Sequence, residues 1–121
     1  MREDKVKEWF IAWFDSEWSE YNNVFNINAY YSESWGPEYT GVIEIKEWFN
    51  NWHTHSELIS WDIKKFYHFD SSTIVEWYFH CRDCKEEHEF DGVSIIEWDS
   101  NEKIKSLKEY ASSLPKYNPL K

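Results

Sequence analysis

The sequence has 121 residues, a length that suits one domain, with 13 basic against 23 acidic side chains and a net charge of −10. Low mean hydropathy (−0.81) and high charge would suit a disordered chain, but 9 Trp, 8 Tyr and 8 Phe make up 21% of the residues, and disordered segments are poor in rings. The chain is expected to fold around an aromatic interior. Its acidity argues against binding nucleic acid or an anionic membrane, which both call for clustered Lys and Arg.

From the N-terminus, Val6, Trp9, Phe10, Trp13 and Phe14 recur at i, i+3, i+4, i+7 and i+8, the spacing of one helix face. This first helix should end near Asp15-Ser16, either of which can cap the next. Trp18, Tyr21 and Phe25 continue at helical spacing and predict a second helix to about Asn26. Ala29 to Trp35 reads as a short strand, ended by Gly36-Pro37. Ile45, Trp48, Phe49 and Trp52 predict a third helix, entered through Thr40-Gly41 and fading at His53-Thr54-His55.

From Glu57 onward the rhythm is that of strands, expected over 58–69, 73–82, 88–98 and 103–112 and joined by short turns into an antiparallel meander. Val75, Trp77, Phe79 and Cys81 share one face of the second of these strands. Phe90, Gly92, Ser94, Ile96 and Trp98 share one face of the third, and Ile59, Trp61 and Ile63 one face of the first. That apolar face should take the helices. Tyr78, Val93 and Ile95 fall on the outer face, which a second copy of the chain could cover as a homodimer. The whole is an α+β domain spanning residues 1–121.

No run approaches the roughly 20 apolar residues of a membrane helix. Met1 to Lys5 carry charges of both signs with no apolar core after them, so a cytoplasmic location is expected. Three glycines leave no phosphate-cradling loop, and no cofactor is expected. His80-Cys81-Arg82-Asp83-Cys84 with His88 offers a C-x-x-C pair but no second ligand pair at zinc spacing, so no metal is expected. A disulfide between the two cysteines is disfavoured in a reducing cytosol. His53 and His55 are two apart and point to different sides of a helix end, so they do not form a helical metal pair. Either could still reach a pocket mouth.

The order of elements resembles the nuclear transport factor 2-like superfamily, and its SnoaL-like branch most of all. The carrying stretches are Tyr31-Ser32-Glu33-Ser34-Trp35-Gly36-Pro37-Glu38-Tyr39-Thr40-Gly41 leading into Ile45-Lys46-Glu47-Trp48-Phe49, then Val75-Glu76-Trp77, Phe90 to Asp99 and Lys103-Ile104-Lys105-Ser106-Leu107. The resemblance covers residues 6 to 112. It implies a cone in which three N-terminal helices pack on a curved, mainly antiparallel sheet, with a pocket between them. It also implies relatives that include ketosteroid isomerases, polyketide cyclases, epoxide hydrolases and non-catalytic binders, many of them dimeric through the outer sheet face.

By that resemblance Glu33 stands where ketosteroid isomerases carry a catalytic Asp. The rest of that site is absent, because Ser94 stands where they carry an oxyanion-stabilising Asp, and Trp9 or Phe10 where they carry a donor Tyr. From the residues alone, a carboxyl at position 33 among Tyr31 and Trp35 would be desolvated and raised toward the range of a general base; a rim glutamate in water is the alternative. The expected cavity is lined by Trp9 or Trp13, Trp35, Phe49, Trp77, Phe79 and Ile96, with Glu33, Tyr39 and Ser94 as its polar groups. Two functions fit: an isomerase- or cyclase-like enzyme using Glu33 as acid/base on a small apolar substrate, or a non-catalytic binder of a small aromatic or lipid-like ligand.

Overall fold

The computed structural model describes residues 1–18 and 21–121. Helix α1 (Arg2–Asp15) buries Val6, Trp9, Phe10 and Trp13 along one stripe and stops at Ser16, whose φ of 59° ends the helical run. The guanidinium of Arg2 fixes its start by a two-pronged bond to Glu102, at 2.9 and 3.0 Å.

The expected second helix is not formed. A single turn, α2 (Tyr21–Val24), runs directly into strand β1 (Phe25–Glu33), and residues 19 and 20 of the expected helix lie outside the described residues. Two asparagines at 22 and 23 are weak helix formers. Phe25 gains more by opening β1, where it is buried edge-on against Trp9 at 5.0 Å. Among the described residues, only α1 and α3 (Val42–Trp52) are helices longer than one turn.

A short strand not expected from the sequence, β2 (Glu38–Thr40), folds back on β1 across a turn holding Gly36 at φ 132°. Gly41, at φ 89°, then starts α3, and the Glu44 carboxylate accepts the Thr40 backbone N–H at 2.8 Å. The meander is as expected: β3 (Ser56–Phe69), β4 (Ser72–Asp83), β5 (Glu86–Trp98) and β6 (Ile104–Ser113) pair antiparallel in sequence. β6 then lies parallel to β1, giving one curved, mixed sheet in the order β2-β1-β6-β5-β4-β3.

Face parity holds in β4 and β5, where Val75, Trp77, Cys81, Ser94, Ile96 and Trp98 are buried. It breaks at two bulges in β3. A bulge between Leu58 and Ser60 shifts the register, so Leu58 and Trp61 turn inward while Ile59 is exposed; one extra residue reverses the face of whatever precedes it. The core that results is a continuous ring cluster. Trp9, with no exposed surface, contacts Trp18, Phe25 and Trp13 at centroid distances of 4.6, 5.0 and 5.3 Å, and Phe10 stacks on Trp61 at 3.7 Å.

Gly92 is required by this packing. A Cβ there would lie 2.5 Å from the Trp77 ring and 2.6 Å from the Tyr110 carbonyl oxygen, distances that force the indole or the strand to move. Gly92→Ala is expected to destabilise the fold by about 1–3 kcal/mol through overpacking, read as a lower urea midpoint at unchanged slope.

Candidate active site

A cavity of about 310 Å³ opens between the concave face of the sheet and the C-terminal end of α3. Strand alternation places its walls: Trp61 comes from β3, Trp77 and Phe79 from β4, and Phe90 from β5. Trp52 closes it from the last turn of α3, and Trp35 from the β1–β2 turn. Trp61 meets Trp77 and Phe79 edge to face, each at 89°, while Trp35 and Phe90 lie parallel, 6.1 Å apart.

The polar side of the cavity is a pair of carboxyls. Glu33 ends β1 and Glu109 sits directly opposite it on β6, so both line the cavity from neighbouring parallel strands. Glu109 is 5% exposed, and its Oε2 accepts a short hydrogen bond from the Tyr31 hydroxyl. The Tyr31 oxygen in turn accepts the Trp9 indole N–H at 3.2 Å. The chain Trp9–Tyr31–Glu109 therefore carries a hydrogen-bond line from the centre of the core to the cavity wall.

Burial penalises charge on each of these groups. It pushes the Glu33 carboxyl up to about 7. Burial, and then repulsion from Glu33, push Glu109 up to about 8 against the opposing hydrogen bond from Tyr31. Burial raises the Tyr31 phenol well above its ordinary range, reinforced by Glu109. Two adjacent carboxyls of this kind titrate as a pair. Near neutrality the site holds one carboxyl that readily ionises beside one that stays protonated.

Of the residues expected to form the site, Glu33, Trp35, Trp77 and Phe79 do line this cavity. The others do not. Phe49 and Ile96 have no exposed surface and pack in the core with Trp9 and Trp13, whose rings meet that of Phe49 at 6.0 and 4.8 Å. Ser94 is fully buried and accepts the Trp77 indole N–H at 2.9 Å, so it positions a wall rather than facing the cavity. Tyr39 stacks on Trp48 at 4.7 Å and lines a separate hollow beside α3. It is close enough that Glu33 and Glu109 add to the burial that takes its phenol to about 12.

His55 reaches the cavity, 3.6 Å from Asp83. His53 does not, both of its ring nitrogens lying 2.7 Å from backbone carbonyls of Phe49 and Trp13. Cys81 is buried at the cavity wall with its thiol pushed up to about 11 by burial. Cys84, at the β4–β5 turn, is exposed, and both are free thiols. Sequence reasoning missed Glu109. The available signal was parity along β6, since Leu107, Glu109 and Ala111 alternate onto the inner face and set a carboxyl where an apolar residue is expected. Trp61 lines the cavity, and its buried indole N–H has no acceptor among the described residues.

No protein-family model matches the sequence, and no curated protein sequence matches it. Solved structures match its fold over nearly the whole chain. An epoxide hydrolase of the LEH-like kind from M. tuberculosis superposes with a TM-score of 0.79 at 10% identity, covering 92% of this chain and 82% of its own. A Catenulispora acidiphila protein with a ketosteroid isomerase-like fold, solved in complex with trimethylamine, gives 0.74 at 19% identity, covering 88% and 83%. A Mesorhizobium loti protein assigned as a SnoaL-like polyketide cyclase gives 0.73 at 13%, covering 91% and 98%. The chain has the nuclear transport factor 2-like fold. Within this fold the α1 side of the interior is filled with rings, and its open part lies toward the β4–β5 hairpin.

The raised carboxyls make stability depend on pH. Each binds its proton more tightly in the folded chain than at its ordinary value of 4.5, so the folded state is favoured below about pH 4.5 and loses that advantage as pH rises through 7 to 8. The urea midpoint is expected to fall between pH 5 and 8.5. Glu109→Gln, which keeps an acceptor for Tyr31, should flatten much of that slope and gain on the order of 2 kcal/mol over the parent chain at pH 8.5.

Proposed function

We propose that the protein is a proton-transfer enzyme of the isomerase or cyclase type, acting on a small, largely apolar substrate in the 310 Å³ cavity. The observation that carries this reading is the pairing of Glu33 with Glu109 on one cavity wall. A base with a pKa near 7 is half ionised at neutral pH and still strong enough to take a proton from carbon. Glu33 is that base. It removes a proton from the carbon next to a substrate carbonyl, the electron pair moves onto the carbonyl oxygen, and Glu33 returns the proton to another carbon of the same molecule. Protonated Glu109 is the donor available to the developing enolate oxygen, a contribution of about 10²–10³ in rate. The trimethylamine complex of the Catenulispora acidiphila protein supports a small-ligand cavity in this fold.

Two features of the same reading concern surroundings rather than chemistry. The outer sheet face exposes Tyr67, Ile74 and Tyr110 and carries the half-buried Tyr78, Val93 and Ile95; a second copy of the chain covers this face in a homodimer, and light scattering at micromolar concentration should return twice the mass of one chain. No helix of the described residues is long and apolar enough to cross a membrane. Free thiols at Cys81 and Cys84 suit a reducing, cytoplasmic compartment.

Deuterium exchange next to the carbonyl of small cyclic enones, followed by NMR, tests the catalytic reading. The rate should follow a bell in pH, rising with Glu33 near 7 and falling as Glu109 loses its proton near 8. Glu33→Gln should cost roughly 10²–10⁴ in rate with the fold retained. Exchange that Glu33→Gln leaves intact removes the base role. Enone binding with no exchange moves the protein to the second reading, a non-catalytic binder of small aromatic or lipid-like molecules.

A further inference from the structure

We infer that the molecule this cavity takes carries an organic ammonium group, a compact alkylated amine rather than a neutral hydrocarbon or an anion. The inference rests on the reading of the cavity as a small-molecule site and narrows its ligand class. Among the described residues, three carboxyl-bearing ones, Glu33, Asp83 and Glu109, line the cavity and no Lys or Arg does; the basic groups on its wall are the imidazoles of His55 and His88. An anion entering there finds no Lys or Arg to receive it. A neutral apolar molecule would leave the carboxyls desolvated without compensation. An ammonium supplies the missing counter-charge, so one carboxyl can stand as its partner while the other remains free for proton transfer.

The rings point to the same chemistry. A cation is held best by aromatic faces arranged around it, and the cavity has walls on several sides. Trp61 stands at 89° to both Trp77 and Phe79, so their faces cannot all be shared among themselves. Trp35 adds a face across the mouth, lying parallel to Phe90 yet 56% exposed itself. Alkyl groups on nitrogen fit such a box, since they spread the charge over a surface that rings can touch and that needs no hydrogen-bond acceptors.

Choline and its neutral isostere 3,3-dimethylbutan-1-ol separate charge from shape, because they differ in a quaternary nitrogen against a quaternary carbon. In an NMR titration of the full chain that follows the Trp indole N–H signals, choline should bind about tenfold or more tighter than the alcohol. Glu33→Gln and Asp83→Asn should each weaken choline several-fold and leave the alcohol unchanged. Trp35→Leu, at an exposed position that does not support the core, should weaken choline more than the alcohol. Equal or tighter binding of the alcohol overturns the ammonium assignment while leaving the small-molecule cavity standing. Failure of both probes to shift any indole signal in the millimolar range removes the assignment and the small-molecule reading together. Choline binding that neither carboxyl variant changes also overturns it.

Discussion

The site depends on β1 lying parallel to β6. Parallel neighbours in register present their side chains to the same face at the same height, and here that sets Glu33 opposite Glu109 and Tyr31 opposite Leu107. Tyr31 then needs only to lean along the strand to give its hydroxyl to Glu109. The Ser34 N–H, bonded to the Glu109 carbonyl at 2.9 Å, holds the strand ends at this height. A slip of one residue would turn Lys108 or Tyr110 inward in place of Glu109 and separate the carboxyls. The meander creates the cavity, but this one pairing creates its chemistry.

Burying two carboxyls is unfavourable, and a chain of 121 residues has a limited core with which to offset it. The aromatic composition supplies the margin. A ring buries about 150–250 Å² and adds edge-to-face attraction beyond its area, and Trp9 alone meets Trp13, Trp18, Phe25 and Tyr31 in that geometry. The cost is also reduced at its source. A protonated carboxyl is far cheaper to bury than an ionised one, and Tyr31 satisfies one of the Glu109 oxygens. The line from Trp9 through Tyr31 to Glu109 thus lets the fully buried ring cluster fix the position of a buried carboxyl.

The strands were legible because alternation is a local property: β4 and β5 could be read residue by residue, and Trp77 and Phe79 were placed on the cavity wall from parity alone. What could not be read were events that one strand imposes on another. The bulge after Leu58 reverses Ile59 only because β3 must stay in register with β4. Phe25 left its helical spacing because Trp9, distant in sequence, offered it a partner. Ser94 and Ile96 lie on the expected face yet miss the cavity, since parity chooses a side of the sheet and says nothing of what packs against it there, and Phe49 on the α3 stripe is taken up by the rings of Trp9 and Trp13. Glu109 went unnoticed for a related reason. Its neighbours in sequence are charged or polar, and its importance comes from Tyr31 and Glu33 across the strand pair.

The excess of acid in the composition and the acid in the cavity are parts of one field. A net charge of −10 is repelled by polyanions and acts in the opposite sense on a small cation. A cleft with apolar walls concentrates field lines, so a cation is drawn toward it and reaches it faster at low ionic strength. Once inside, it meets carboxyls that have been kept neutral by burial. Its charge lowers the cost of ionising them, so ligand binding and proton release become coupled. On the proposed reading, the residues that destabilise the fold at neutral pH are also the ones that would hold the ligand. A cavity of this kind is costly when vacant and repaid on binding, which is how a polar site survives inside an otherwise aromatic core.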